Sequence, residues 1–181
     1  MQEDVKWYAL KVFNNRVFEA EGWLKKDGIE CFLPTHEKRV ERDGRQRVLK
    51  RPLLGSLLFV RTTEKSLRDF YQMHWHLLFV YRDTVTGGFA VIPDHEFRIF
   101  RMALSVDCPD LEFFNDEKKL LNLGDRVRVT GGPLQGLEGY IKRINHNRRL
   151  LVVVRGVVAV ATSYIPQCFL EKIEEPDASF Q

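Results

Sequence analysis

GDRVRVTGGPLQGLEGYI, residues 124 to 141, is the stretch that decides the fold class of the carboxy-terminal part of this chain. Val127 and Val129 alternate with Arg126 and Arg128, the period-two pattern of a half-buried strand. Gly131, Gly132, Gly136 and Gly139 mark places where the backbone bends or another chain segment approaches closely, and Pro133 fixes φ within the turn. No Gly-Lys-Ser/Thr follows these glycines, and the next element reads as a strand, so a phosphate-binding nucleotide loop is excluded. Downstream, short strand patterns recur at 126–130, 138–144, 149–155, 157–162 and 168–173. Five short strands within about fifty residues suit a small barrel.

Upstream of this stretch the periodicity changes. WYALKV, residues 7 to 12, reads as a strand, and Val17, Ala20 and Leu24 then form one face of a helix over 15–26, ended by Asp27-Gly28. Residues 29–34 form a second strand. Asp43-Gly44 is a hairpin-turn signal between two charged, extended arms. Residues 57–60 read as a buried strand, 64–73 as a helix carrying Leu67 and Phe70, and 77–81 as another strand. Gly87-Gly88 turns into a short strand over 89–92, and Asp94 caps a third helix with Phe97, Phe100 and Leu104 inward. Strands mixed with helices in this order indicate an α/β (α+β) sandwich with a mostly antiparallel sheet. The pattern weakens from 106 to 121, an acidic, aromatic linker containing Leu111, Phe113 and Phe114. The domains expected are therefore 1–105 and 122–174, followed by a tail, 175–181, with no hydrophobic pattern.

The chain has 181 residues, 44% of them hydrophobic, and a formal charge of +3. No run approaches the ~20 apolar residues of a membrane helix, and the opening MQEDVKWYAL is acidic before it is apolar, unlike a secretory signal. A cytoplasmic location without membrane attachment is expected. Cys31, Cys108 and Cys168 share no metal-type spacing and suit free or buried thiols in a reducing compartment. The single dense basic segment lies between Glu37 and Arg51, where Lys38, Arg39, Arg42, Arg45, Arg47, Lys50 and Arg51 outnumber Glu37, Glu41 and Asp43. Such a run is either a solvated face or a phosphate contact made by side chains on two projecting strands.

Enzymatic chemistry finds little support. His74-Trp75-His76 offers two imidazoles at i, i+2, but the sequence places no third metal ligand nearby, and a structural role is the better reading. Ser56 follows Gly55 among leucines and lacks the second glycine of a nucleophile elbow. No catalytic residue, metal or cofactor is expected.

The 124–141 stretch resembles the KOW motif of NusG/Spt5-type transcription elongation factors and of some ribosomal proteins, through Gly124, Val127, Val129, Gly132, Pro133, Gly136 and Gly139. WYALKV, IECFLP (29–34), the basic hairpin and PLLGSLLFVR (52–61) resemble, in the same order, the amino-terminal NGN domain of that family. Two linked matches covering residues 6 to 173 imply an NGN sandwich followed by a five-stranded SH3-like KOW barrel. The resemblance implies a transcription elongation or antitermination factor, not an enzyme. Its partners would be the largest-subunit clamp helices of RNA polymerase, DNA near the transcription bubble, and Rho or a ribosomal protein at the barrel. Tyr8, Leu53, Leu54, Ser56, Phe79 and Tyr81 stand at the positions of the polymerase-gripping groove, and the cations of 38–51 at those of a hairpin beside DNA.

This sequence departs from housekeeping NusG at Leu53, Leu54 and Ser56, and at Gly156-Val157-Val158-Ala159, where Phe-Gly-Arg is usual. Val157 and Val158 are the expected partner-binding apolar loop of the barrel, if exposed. The departures, with the acidic, aromatic linker, are similar to specialised paralogues of the UpxY/RfaH antiterminator type. The first helix carries Glu19 and Trp23 rather than the basic and polar residues with which some paralogues read a DNA hairpin. A ribosome-associated or RNA-binding KOW module is the alternative of a different class.

Overall fold

The computed structural model describes residues 4–42, 45–105, 111–114, 124–144, 147–154 and 157–174. The chain divides into two compact units, residues 1–93 and 94–181. Among the described residues there are three α-helices and twelve strands, and every strand pairing is antiparallel.

In the first unit, β1 (Lys6–Val12) lies between β5 (Leu57–Thr62) and β6 (Leu78–Val80), and β2 (Glu30–Phe32) pairs on the far side of β5, giving the order β2-β5-β1-β6. Alternation along β1 sends Tyr8, Leu10 and Val12 to one face, where they meet Leu58 and Val60 of β5. Helix α1 (Val17–Lys26) covers that face with Val17, Ala20 and Leu24, and α2 (Glu64–His74) does so with Leu67 and Phe70. These side chains are almost wholly buried, and their spacing, i, i+3 and i+7 in α1 and i, i+3 in α2, turns one face of each helix to the sheet. Asn14 and Asn15, both at positive φ, make the tight bend between β1 and α1, a conformation asparagine tolerates better than most residues. Thr63 caps α2 by accepting the Ser66 N–H at 3.2 Å.

The opposite sheet face is also apolar: Trp7, Ala9, Leu57 and Phe59 are buried. Near-continuous burial of β1 and β5 explains why both read as apolar runs. Residues 89–92 form no strand. Phe89 and Ile92 make single bridges to Arg82 and Trp7, because Gly87 and Gly88 spend the preceding residues on a turn held by the Asp83 carboxylate. Two strands, β3 (Thr35–Arg42) and β4 (Arg45–Pro52), pair only with each other. The Asp43-Gly44 turn expected between them lies outside the described residues.

In the second unit, the strand order is β12-β8-β9-β10-β11-β7. β8 (Arg126–Val129), β9 (Glu138–Ile144), β10 (Asn147–Val154), β11 (Val158–Tyr164) and β12 (Leu170–Lys172) correspond to the strand patterns read from the sequence. The sixth, β7 (Glu112–Phe114), arises inside the stretch expected to be linker and pairs with Ala159–Ala161. Helix α3 (Asp94–Ser105) packs on β10 and β11, burying Phe97, Phe100 and Ala103 rather than Leu104. The contacts thus group α3 with the second unit. Most of the remaining linker, Cys108, and the tail 175–181 lie outside the described residues.

Candidate functional site

Of the residues expected to bind a protein partner, Phe79 and Tyr81 lie together at the β6 edge of the first sheet, whereas Tyr8 is on the central strand β1 and Leu53, Leu54 and Ser56 are in the segment that leads into β5. Leu78 and Val80 point to the helices, so alternation turns Phe79 outward, where 41% of it is exposed. Its ring meets that of Tyr81 edge-on at 5.6 Å, and burial raises the Tyr81 hydroxyl pKa above its ordinary value. Lys11 is the register partner of Phe79 on β1. Ser56 sits at the same end of β1, its carbonyl accepting the Val12 N–H at 2.8 Å, and Leu53 is tied by its N–H to the Pro34 carbonyl at 2.8 Å. Both side chains are half-buried.

Tyr8 and Leu54 are corrections to the expected groove. Tyr8 is 2% exposed because it shares the helix-facing side of β1 with Leu10 and Val12, and Leu54 is 6% exposed inside the turn closed by Leu57 N–H on its carbonyl. The accessible set is Leu53, Ser56, Phe79 and Tyr81.

The basic segment forms the β3–β4 ribbon, with eight residue pairs from Thr35↔Pro52 to Arg42↔Arg45 in unbroken register. Lys38, Arg39, Arg45, Arg47, Lys50 and Arg51 are exposed, and none enters an ion pair among the described residues. Arg42 is placed by its backbone only. An isolated two-stranded ribbon is marginally stable by itself, and Val48 and Leu49 on it are 56% and 41% exposed. What the ribbon offers chemically is unpaired positive charge on an extended support.

The 124–139 motif is a structural device. Val127 and Val129 are buried, and Gly136, at φ +88°, donates its N–H to the Val129 carbonyl at 2.8 Å so that the chain can return along β8. Gly132 opens the turn that Pro133 continues, accepting the Gln135 N–H at 3.1 Å. Gly124 lies against the Ile141 carbonyl and Gly139 against the Leu151 carbonyl, where no Cβ fits. Arg126 and Arg128 both converge on the Glu138 carboxylate, at 2.9 and 2.7 Å, which raises the Arg128 pKa. Val157 and Val158 are 4% and 0% exposed: the loop expected as an apolar docking surface is core, because the Val157 N–H closes on the Val154 carbonyl and turns both side chains inward.

Groups with possible chemistry are held structurally. His74 stacks on Trp23 at 4.4 Å and tilts against Phe70 at 4.7 Å. The described residues contain no cluster of three or more His, Cys, Asp or Glu side chains suited to a metal. A cavity of about 50 Å³ between α3 and β8–β10 admits only a few waters. No helix of the described residues is long and apolar enough to cross a membrane. The sequence reading missed the aromatic site at Phe89, which packs against Tyr8 and Tyr71 with the guanidiniums of Arg68 and Arg82 at 5.8 and 5.3 Å from its ring. Phe89 reads in the sequence only as the start of a short strand, and its neighbours Tyr8, Arg68 and Tyr71 are too far along the chain for a local pattern to reveal.

The family model described as "Transcription termination factor nusG" matches residues 5–101, more than half of the chain. The chain belongs to the NusG family, whose members are transcription factors. A solved structure of NusG from Thermotoga maritima, titled "Domain interaction in Thermotoga maritima NusG", aligns over 94% of this chain and 98% of its own, with 17% identity and a TM-score of 0.47. No curated protein matches.

Proposed function

We propose that the chain is a cytoplasmic transcription elongation and antitermination factor of the specialised UpxY/RfaH type. Its NGN-like domain, expected over 1–105 and compact over 1–93, docks on the clamp helices of RNA polymerase, and its 122–174 part acts as an SH3-like KOW barrel of five strands, β8 to β12, to which β7 adds a sixth, and recruits a second partner. Leu53, Ser56, Phe79 and Tyr81 form the docking surface. The hairpin cations hold DNA beside the bubble. By binding the elongating state of the polymerase better than the paused one, the protein shifts the balance between them; ~1.4 kcal/mol of differential affinity changes it tenfold.

The observation that carries this reading is the outward Phe79 ring, braced by Tyr81 at 5.6 Å, on the sheet edge of a chain that belongs to a transcription-factor family. An exposed aromatic with a rigid neighbour is the kind of residue that dominates a protein interface. The RNA-binding alternative is disfavoured by Glu138, which occupies both arginines of the 124–141 stretch and leaves it little charge for phosphates. The test is retention of purified polymerase core by the full-length chain. Phe79→Ala should weaken retention by about tenfold, the effect of losing ~1–2 kcal/mol at an interface anchor. Undiminished retention by the variant, or co-purification of the parent with ribosomes instead of polymerase, would remove the reading.

A further inference from the structure

The register of the cationic ribbon separates its charges into two unlike faces. In an antiparallel pair, residues directly opposite one another point to the same side, and successive residues alternate. His36↔Arg51, Lys38↔Leu49 and Val40↔Arg47 are therefore on one face, which Arg45 shares two residues before Arg47. That face has four described Lys or Arg residues (Lys38, Arg45, Arg47, Arg51) and no carboxylate. The other face has Glu37↔Lys50, Arg39↔Val48 and Glu41↔Gln46, so two cations stand beside two acids. The described side chains sum to +4 on one side, Arg42 not counted, and to zero on the other.

The spacing on the charged face is regular. Arg51, Lys38, Arg47 and Arg45 occupy four successive same-face rungs, the last of them shared with the backbone position of Arg42. Rungs two residues apart are separated by ~6.8 Å, so the four charges span ~20 Å in single file. Phosphates follow one another every ~3.4 Å along each strand of duplex DNA, so such a file can meet roughly every second phosphate. The twist of a two-stranded ribbon makes the file follow a helical path, as a phosphate backbone does.

We propose that the ribbon is a one-sided phosphate clamp: nucleic acid runs along the Lys38–Arg45–Arg47–Arg51 face, and the Glu37–Arg39–Glu41–Lys50 face makes no contact with it. This rests on the reading of the hairpin as a DNA contact and specifies which half of its charge does the work. Neutralising four phosphates of duplex DNA gives a slope of log K against log salt of about −3.6, each cation contributing about 0.9. An equal distribution over both faces predicts equal losses from any two cations.

Two double variants of the full chain separate these outcomes: Lys38→Gln with Arg47→Gln on the charged face, and Arg39→Gln with Lys50→Gln on the balanced one. Each removes two exposed cations from the same ribbon. Binding of a synthetic DNA duplex with an unpaired central bubble is followed by fluorescence anisotropy across a salt series. The first variant should bind more weakly, with a slope shallower by about 1.8, while the second keeps the parental slope. Equal losses in both variants would overturn the one-sided clamp and leave the hairpin's contact with DNA standing. Parental slopes in both would overturn the clamp together with the reading on which it rests.

Discussion

Replacement of Gly139 by alanine tests the geometry of the second unit at its tightest point. A Cβ on Gly139 stands 2.5 Å from the Leu151 carbonyl oxygen and 3.1 Å from its carbon. Close carbon–oxygen contacts in sheets settle near 3.3 Å, so β9 and β10 must part by roughly 0.8 Å to admit one methyl group. The obstacle is backbone, which cannot rotate aside as a side chain would. Gly139 is also the partner of Val127 on β8, and its neighbour Tyr140 that of Leu151, so the displacement falls in the middle of three strands. Overpacking costs ~1–3 kcal/mol, and the backbone origin of the clash puts Gly139→Ala in the upper part, ~2–3 kcal/mol. Amide hydrogen exchange on the full chain reads this directly as local opening. Peptides covering 138–154 should exchange roughly 30- to 150-fold faster, while those of β1 and β5 keep the parental rate. Gly28→Ala provides the contrast, since Gly28 has φ +70° but nothing within 4 Å of its would-be Cβ. It should loosen only the end of α1, by about 1 kcal/mol of backbone strain. Parental exchange over 138–154 in Gly139→Ala would refute the close approach of β9 to β10.

Val158→Ser places a hydroxyl at a fully buried site and removes packed methyls, so the thermal midpoint should fall by the equivalent of ~2–4 kcal/mol; an unchanged midpoint with lost antitermination on a reporter would return this loop to the surface. The Asp83 carboxylate is held below its ordinary pKa by the Thr86 N–H at 2.6 Å and hydroxyl at 3.0 Å, and then by the Val85 N–H at 2.9 Å. Because the folded value is depressed, the stabilisation is complete above the unfolded value of ~3.9 and is lost as pH falls through the folded one. An NMR titration should place the Asp83 midpoint below ~3.9, and a midpoint at or above it would show that the 83–88 turn is not anchored this way.

The elements of this fold that sequence reveals are those with a long period. Val17, Ala20 and Leu24 announce α1, Leu67 and Phe70 announce α2, and the valines of 126–129 and 152–154 announce β8 and β10. Alternation says which residues share a face but not whether the opposite face is covered. Tyr8 and Phe79 are both strand aromatics, yet one is buried and the other exposed, because Tyr8 shares the helix-covered face with Leu78 and Val80 while Phe79 points to the other face. Val157 and Val158 follow a glycine and read as a loop, while the Val154 bond folds them into the core. β7 is three residues long within an acidic stretch, too short for any periodic test, and its existence depends on β11. The cation file of the ribbon was legible as composition only, since its sorting into faces requires the register.

The pairing of β7 with β11 also determines where this protein can be cut. Without Glu112–Phe114, the outer amides and carbonyls of Ala159, Val160 and Ala161 would stand open beside a run of small apolar side chains. Such a bare, flat edge is a template for adding a strand from another molecule. Glu112 also draws the Arg149 guanidinium to 2.7 Å, clasping the short strand across the sheet. A fragment begun at residue 122 would leave that shield behind and tend toward self-association, whereas one begun ahead of Asp94 would carry both its cover strand and its helix.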